Sequence, residues 1–195
     1  MTNYILAGGC DRKFEVYGKQ LSETVRELSG DRPAILSCFF SRPDEDVEGL
    51  REGWDAWFRQ YFGDDVTIHH AEKSTFLDQI AVADVVYFHG GRTDRLMAAL
   101  KGYGNLREAF AGKTIIGSSA GANYLSTTAF SPIADTVEQG SGLVNVATVV
   151  HYGSKGFEGL TFEPEFWRSA AARVSEQAEK EVLLLAEGTF AVFNS

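Results

Sequence analysis

The sequence predicts a three-layer α/β/α fold with a mostly parallel β-sheet. Three observations carry that prediction. Short apolar runs alternate with amphipathic, helix-length segments along the whole chain. Strand, helix, strand, helix in repetition builds a parallel sheet covered by helices on both faces. Several apolar runs also end in glycine pairs or small polar residues, as strand ends leading into turns do.

The elements follow in order. Tyr4-Ile5-Leu6-Ala7 is a first strand, ending at Gly8-Gly9. Leu21, Val25 and Leu28 recur at spacings of four and three and mark one helix face. Pro33 to Phe40 is a second strand. Val47, Leu50, Trp54, Trp57, Phe58 and Tyr61 form the apolar stripe of a second helix, which predicts a core-facing side. Val66-Thr67-Ile68 is a third strand, ended by His69 and His70, and Thr75 to Ala83 is a helix. Asp84 to Phe88 is a strand ending at His89-Gly90-Gly91, and a helix begins at Thr93. Lys113 to Ile116 is a strand that runs straight into Gly117-Ser118-Ser119-Ala120-Gly121. Leu143 to Val150 is a further β-rich run, Phe166 to Ala178 a helix, and two strands flank Glu187-Gly188.

Composition bounds the function. The 195 residues fit one domain, 1–195, and 44% hydrophobic residues suffice for a core. The net charge of -9, with the acidic run Asp44-Glu45-Asp46 and no basic stripe, argues against nucleic acid and anionic membranes as partners. No apolar run approaches the ~20 residues that span a bilayer, and the first strand begins within a few residues of Met1 with no signal-like stretch before it. Cys10 and Cys38, the two cysteines, read as reduced side chains, and the expected compartment is the cytoplasm. Histidine and cysteine show no clustered ligand spacing, so neither a metal nor an organic cofactor is expected.

The chemistry is concentrated at Gly117-Ser118-Ser119-Ala120-Gly121, which fits Gly-x-Ser-x-Gly. Between a strand and a helix, this pattern makes a sharp turn that exposes the central serine oxygen at the top of the sheet. The same residues would also serve a tight packing turn alone. A serine hydroxyl needs a base to become a nucleophile. His151, at the end of an apolar run, suits that role, and His89, beside Gly90-Gly91, could line the same site. Glu187, between two apolar runs, is a candidate for the acid that orients the base, and Asp135 is a second. Ser119, His151 and Glu187 occur in that order, 32 and 36 residues apart. The α/β-hydrolases place the acid before the histidine, so the order points away from them.

Five blocks of the sequence, in order, resemble one family. Phe88-His89-Gly90-Gly91-Arg92-Thr93 resembles its Gly-Gly-Asn-Thr segment, with Arg92 at the asparagine. Gly117 to Asn123 resembles its Gly-Trp-Ser-Ala-Gly-Ala-Asn turn, with Ser118 at the tryptophan. Pro132-Ile133-Ala134-Asp135, Val150-His151-Tyr152 and Leu185-Ala186-Glu187-Gly188 resemble its Pro-Ile-x-Asp, Pro-His-Phe and Leu-Pro-Glu-Gly. The family is that of dipeptidase E (alpha-aspartyl dipeptidase) and its relative cyanophycinase, peptidase family S51. The resemblance implies a class I glutamine-amidotransferase-like (flavodoxin-like) fold and a serine peptidase acting on short peptides, acidic N-terminal residues included. It implies a Ser119–His151–Glu187 triad, with Gly91 and Ala120 donating backbone N–H groups to the oxyanion. Gly90, Arg92, Asn123, Asp135 and Arg168 are then substrate-binding candidates. Arg92 and Arg168 are alternative partners for a substrate carboxylate, and Asp135 for a free amine. The fold is compatible with a homodimer. Two other readings stay open: a different serine amidase or esterase on the same scaffold, and a non-catalytic homologue that binds a peptide or small molecule. A glutamine amidotransferase fits less well, because the turn holds no cysteine.

Overall fold

Alternation of side chains explains the two-sided core. In the computed structural model, which describes residues 1–157, 159–178 and 180–195, strand β4 (Val85–Phe88) sends Val86 and Phe88 to one face and Val85 and Tyr87 to the other. The same period of two places Ile115 and Ile116 of β5 (Thr114–Ser118) on opposite faces. Both faces of the strands are therefore apolar, as a sheet covered on both sides requires.

The main sheet has six strands. Its order is β12 (Phe190–Asn194), β1 (Asn3–Ala7), β5, β4, β2 (Ile35–Cys38) and β3 (Ile68–His70). All neighbours pair parallel except β12, which lies antiparallel on β1 at the edge. One face packs against α1 (Glu15–Ser29) and α2 (Asp44–Phe62), through Tyr17, Leu21, Val25, Trp57, Phe58 and Phe62. The acidic run occupies the first turn of α2, where carboxylates meet the positive end of the helix dipole. The other face packs against α3 (Phe76–Val82), α4 (Thr93–Leu100), α5 (Leu106–Ala109) and α6 (Ala120–Leu125).

A second sheet was not evident from periodicity. It has the order β11 (Val182–Leu185), β8 (Ala147–Val150), β6 (Thr128–Ser131), β7 (Thr136–Gln139), with β7 antiparallel to β6 and the other pairs parallel. Helix α7 (Pro164–Ala178) covers it, burying Trp167, Ala170 and Val174 against Phe130 and Val149. A short hairpin, β9 (Gly156–Phe157) with β10 (Leu160–Thr161), precedes that helix.

The two sheets are stitched at the carboxyl end of β1. His151 N donates to Gly8 O at 3.0 Å, and Gly188 N donates to Gly9 O at 3.1 Å. A Cβ on Gly8 would lie 2.0 Å from the Ala186 carbonyl oxygen, so only glycine lets the loops after β1 and β11 approach this closely. The loops after β1, β8 and β11 thereby meet the turn after β5, the crevice where open α/β sheets bind ligands.

Candidate active site

The turn after β5 shapes the site. Ser119 sits at φ 52 and ψ -109, a conformation that costs a side-chain-bearing residue ~1–3 kcal/mol. It is held because strand and helix touch: a Cβ on Gly117 would lie 2.4 Å from the Gly121 carbonyl carbon, and one on Gly121 would lie 2.4 Å from Phe88 O. Glycine at both positions lets β5 turn directly into α6, which leaves the Ser119 hydroxyl standing out of the sheet. Cys10 and His151 also have positive φ, both at 56°. Strained residues therefore converge from three separate loops.

The side chains form a hydrogen-bonded line. Ser119 Oγ lies 2.9 Å from His151 Nε2, and His151 Nδ1 lies 3.0 Å from Glu187 Oε1. The imidazole is buried and stacks on Phe157 at 4.1 Å between ring centroids. Gly9 makes room for it, since a Cβ there would lie 2.4 Å from His151 Cε1. Burial pushes the Glu187 pKa up, but the hydrogen bonds from His151 and Cys10 outweigh it, and the net shift is downward. Glu187 in turn helps burial raise the Cys10 thiol to about 11. A hydroxyl, an imidazole with one proton and an ionised carboxylate in this order can take the hydroxyl proton and stabilise the resulting imidazolium.

Gly90 and Gly91 flank the serine. A Cβ on Gly90 would lie 3.2 Å from Ser119 Cβ, and one on Gly91 would lie 2.5 Å from Ser41 O. Ala120 opens α6, so its N–H belongs to the first turn, where helical acceptors are lacking.

Two cavities meet at this line, sharing Gly91, Ser119, Ile133, His151 and Phe157. The larger, about 670 Å³, runs toward α2 and is bordered by Arg12, Lys13, Arg42, Trp54 and His89. Arg12 lies over the Trp54 ring at 5.2 Å, and Arg42 Nε donates to Gly90 O at 2.7 Å. The smaller, about 270 Å³, runs toward the β6–β7 hairpin and is bordered by Thr93, Asp94, Asn123 and Glu138. Burial raises the Glu138 carboxyl pKa, and its Oε2 is buried without a hydrogen-bond partner among the described residues. The larger cavity thus presents cations, and the smaller presents the Glu138 carboxyl beside the paired Arg92 and Asp94.

The remaining candidates divide. Asn123 borders the smaller cavity, but both ends of its amide are engaged: Nδ2 donates to Phe130 O at 3.3 Å, and Thr148 Oγ1 donates to Oδ1 at 3.2 Å. It braces α6 against the second sheet. Arg92 reaches the same cavity with its guanidinium bound by both oxygens of Asp94, at 3.0 and 2.7 Å. Two candidates have partners elsewhere. Asp135 closes the β6–β7 turn at φ 51 and pairs with Arg173 of α7 at 2.6 Å. Arg168 pairs with Glu165 on the exposed side of α7 and borders neither cavity.

Other residues of the site had no sequence motif. Asp11 is 2% exposed and accepts a hydrogen bond from Tyr87 Oη. Burial raises its pKa against the opposing hydrogen bonds of Ser118, Tyr87 and Tyr17. Ser118, small where the resembled family has tryptophan, therefore reaches down to this carboxyl. His89, which the sequence placed near the site, borders the larger cavity, stacks on Phe39 at 3.9 Å and shares a hydrogen bond of 2.8 Å with Ser37 Oγ. The fold also brings Cys10, His151 and Glu187 into one ligand group, which no spacing in the sequence displays.

The fold is mixed α/β, with a strand–turn–helix that carries Ser119 at the end of β5. The sequence model of Peptidase family S51 matches residues 45–195. The chain belongs to peptidase family S51, and is a peptidase. No curated protein sequence matches it. Among solved structures, a peptidase from an acI-B1 Actinobacterium superposes with a TM-score of 0.71 at 20% identity, covering 100% of this chain and 84% of that one. A protein assigned as peptidase E from Listeria monocytogenes EGD-e superposes with a TM-score of 0.68 at 18% identity, covering 100% and 99%. These likenesses are of fold.

Proposed function

We propose that the chain is a serine peptidase that cleaves short peptides with Ser119 as nucleophile, His151 as general base and acid, and Glu187 as the acid that orients the histidine. The observation that carries this reading is the continuous line from Ser119 Oγ to His151 Nε2 at 2.9 Å and from His151 Nδ1 to Glu187 Oε1 at 3.0 Å.

His151 removes the Ser119 proton as the oxygen attacks the scissile carbonyl carbon. The carbonyl oxygen becomes an oxyanion, received by the N–H groups of Gly91 and Ala120; such donors are typically worth ~10²–10³ in rate each. His151 Nε2 then gives the proton to the leaving amine, and the acyl group stays on Ser119. Water, deprotonated by His151, displaces it and restores the serine. Glu187 keeps the Nδ1 proton in place and remains ionised, in keeping with its lowered pKa.

The opposite charges of the two cavities support an orientation. The substrate's amino group lies toward Glu138, and an acidic side chain or terminal carboxylate lies toward Arg12, Lys13 and Arg42. A dipeptide carries both groups at once. No helix of the described residues is long and apolar enough to cross a membrane, and the reading places the enzyme in a reducing cytoplasm.

The test is labelling by a fluorophosphonate with peptide mapping, followed by turnover of a dipeptide library. Labelling at Ser119, lost in His151→Ala, and no turnover by a folded Ser119→Ala protein are expected. Full turnover by folded Ser119→Ala, or no serine labelled in folded wild-type protein, overturns the reading.

A further inference from the structure

Ligand chemistry is set by donor type and spacing, and one place in this fold meets both conditions for a transition metal. Among the described residues, Cys10, His151 and Glu187 each offer one donor atom, and these atoms all lie within 4.8 Å of one another. A thiol, an imidazole and a carboxylate are the donors that zinc takes, whereas calcium and magnesium prefer oxygen alone. Three protein ligands leave the fourth tetrahedral position to water or an incoming group. From zinc–ligand bonds of ~2.0–2.3 Å, donors around one ion stand roughly 3.3–3.6 Å apart. The pair His151 Nδ1 and Glu187 Oε1, at 3.0 Å, is already near that spacing. No pair therefore needs to close by more than about 1.5 Å, within reach of a side-chain rotation.

The scaffold holds these donors in advance. Each follows a different strand, β1, β8 and β11, and main-chain hydrogen bonds tie the loops together: His151 N to Gly8 O, Gly188 N to Gly9 O and Tyr152 N to Leu185 O, all 3.0–3.1 Å. Cys10 is held at φ 56 and stays partly exposed, so an ion can reach it. Cys38, the other cysteine, is enclosed in the core.

We propose that Cys10, His151 and Glu187 form a zinc site, and that Zn²⁺ bound there switches the peptidase off reversibly. Zinc displaces the thiol proton of Cys10 to solvent and takes the Nδ1 lone pair of His151. The single imidazole proton then resides on Nε2. Ser119 Oγ faces an N–H donor instead of a lone pair, and His151 no longer accepts the serine proton. Glu187 is drawn onto the ion at the same time. The inhibitory consequence rests on the proposed roles of Ser119 and His151, but binding of the metal does not.

Two readouts separate these claims. Cobalt(II) is added to metal-free protein, and the thiolate-to-cobalt absorption is followed in wild type, Cys10→Ala and the near-isosteric Cys10→Ser. Zinc stoichiometry and affinity come from competition with a chromophoric chelator. Peptide hydrolysis is then titrated with zinc and reversed with a chelator. One zinc per chain is expected, with a thiolate band that both variants lack. Loss of an outer-shell partner typically costs ~10–100-fold in metal affinity, so loss of the Cys10 ligand is expected to cost about 100-fold or more. The zinc concentration for half-inhibition shifts upward to match. Absence of the band in wild type, or equal zinc sensitivity in wild type and both variants, overturns the site. A Cys10-dependent band in a protein that hydrolyses no peptide upholds the metal site and overturns both its inhibitory role and the proposed function.

Discussion

Gly9→Ala tests whether the position of His151 is what the chain around it is built to secure. A Cβ at residue 9 would lie 2.4 Å from His151 Cε1 and 2.8 Å from Nε2. Ordinary carbon contacts begin near 3.4 Å, so the ring must retreat by about 1 Å. The Ser119 Oγ to His151 Nε2 distance of 2.9 Å cannot absorb that and remain a hydrogen bond. A misplacement of ~1 Å at a reacting group costs about 10²-fold in rate, near 2.7 kcal/mol of activation free energy. The backbone contributes separately: φ of 101° at residue 9 strains any side-chain-bearing residue by ~1–3 kcal/mol. Gly30→Ala is the control. Its φ of 88° imposes similar strain, but a Cβ there meets nothing within 4 Å. Both variants are expected to lower Tm by a few degrees, ~2–4 °C per kcal/mol at this chain length. Only Gly9→Ala is expected to lose about 10²-fold in kcat and in the rate of fluorophosphonate labelling. Equal kcat for Gly9→Ala and Gly30→Ala, with both folded by circular dichroism, would refute the reasoning.

Three further outcomes are expected. Glu138→Gln keeps the side-chain shape and removes the charge. It is expected to lower kcat/KM for peptides with a free amino group by ~10–100-fold, sparing N-acetylated ones; equal loss for both classes rejects the amine role. Arg12→Ala is expected to raise KM about 10-fold for acidic peptides, while Arg168→Ala, whose guanidinium pairs with Glu165 away from both cavities, leaves it unchanged; the reverse pattern would restore Arg168. The third concerns pH. Burial, reinforced by His70, Arg12 and Arg42, holds the His89 pKa well below its ordinary value, so the folded protein keeps it neutral. The unfolded chain takes up a proton below its own pKa, about 6.5. Stability from this group is therefore complete above that pH and falls as pH drops, by up to ~1.4 kcal/mol per pH unit. Urea unfolding between pH 7 and 5 is expected to show a shallower slope in His89→Gln than in wild type; an unchanged slope assigns the dependence elsewhere.

What could be read from the sequence was what local chemistry dictates. The strand–turn–helix around Ser119 was legible because strand and helix touch two residues to either side of the serine, where only glycine fits, and Gly117 and Gly121 stand there. The inner strands β1, β2, β4 and β5 were legible because both of their faces are buried, which leaves continuous apolar runs such as Val85 to Phe88, whereas the half-exposed edge strand β3 runs Ile68–His70 instead of the expected Val66–Ile68. The β6–β7 hairpin was not. Its burial is uneven, and Glu138, which borders a cavity, breaks any alternation.

Charge partners were hidden for a different reason. Arginine and aspartate advertise a charge in the sequence but not its direction. Arg168 and Asp135 were expected at the substrate, yet each is neutralised on the surface, by Glu165 and Arg173, at partners that helix period and turn geometry select. Arg12 carries no motif, but it lies in a 3₁₀ turn one residue beyond Asp11, and that buried carboxyl anchors the turn to Tyr87. The charge pattern around Ser119 therefore depends on which loops the β1, β8 and β11 crossings bring together. The same crossings set Cys10 beside Glu187 and His151. If His151 is the base, as proposed, its fixed position makes that base rigid, and the Cys10 thiol beside Glu187 is the feature through which a metal would compete for it.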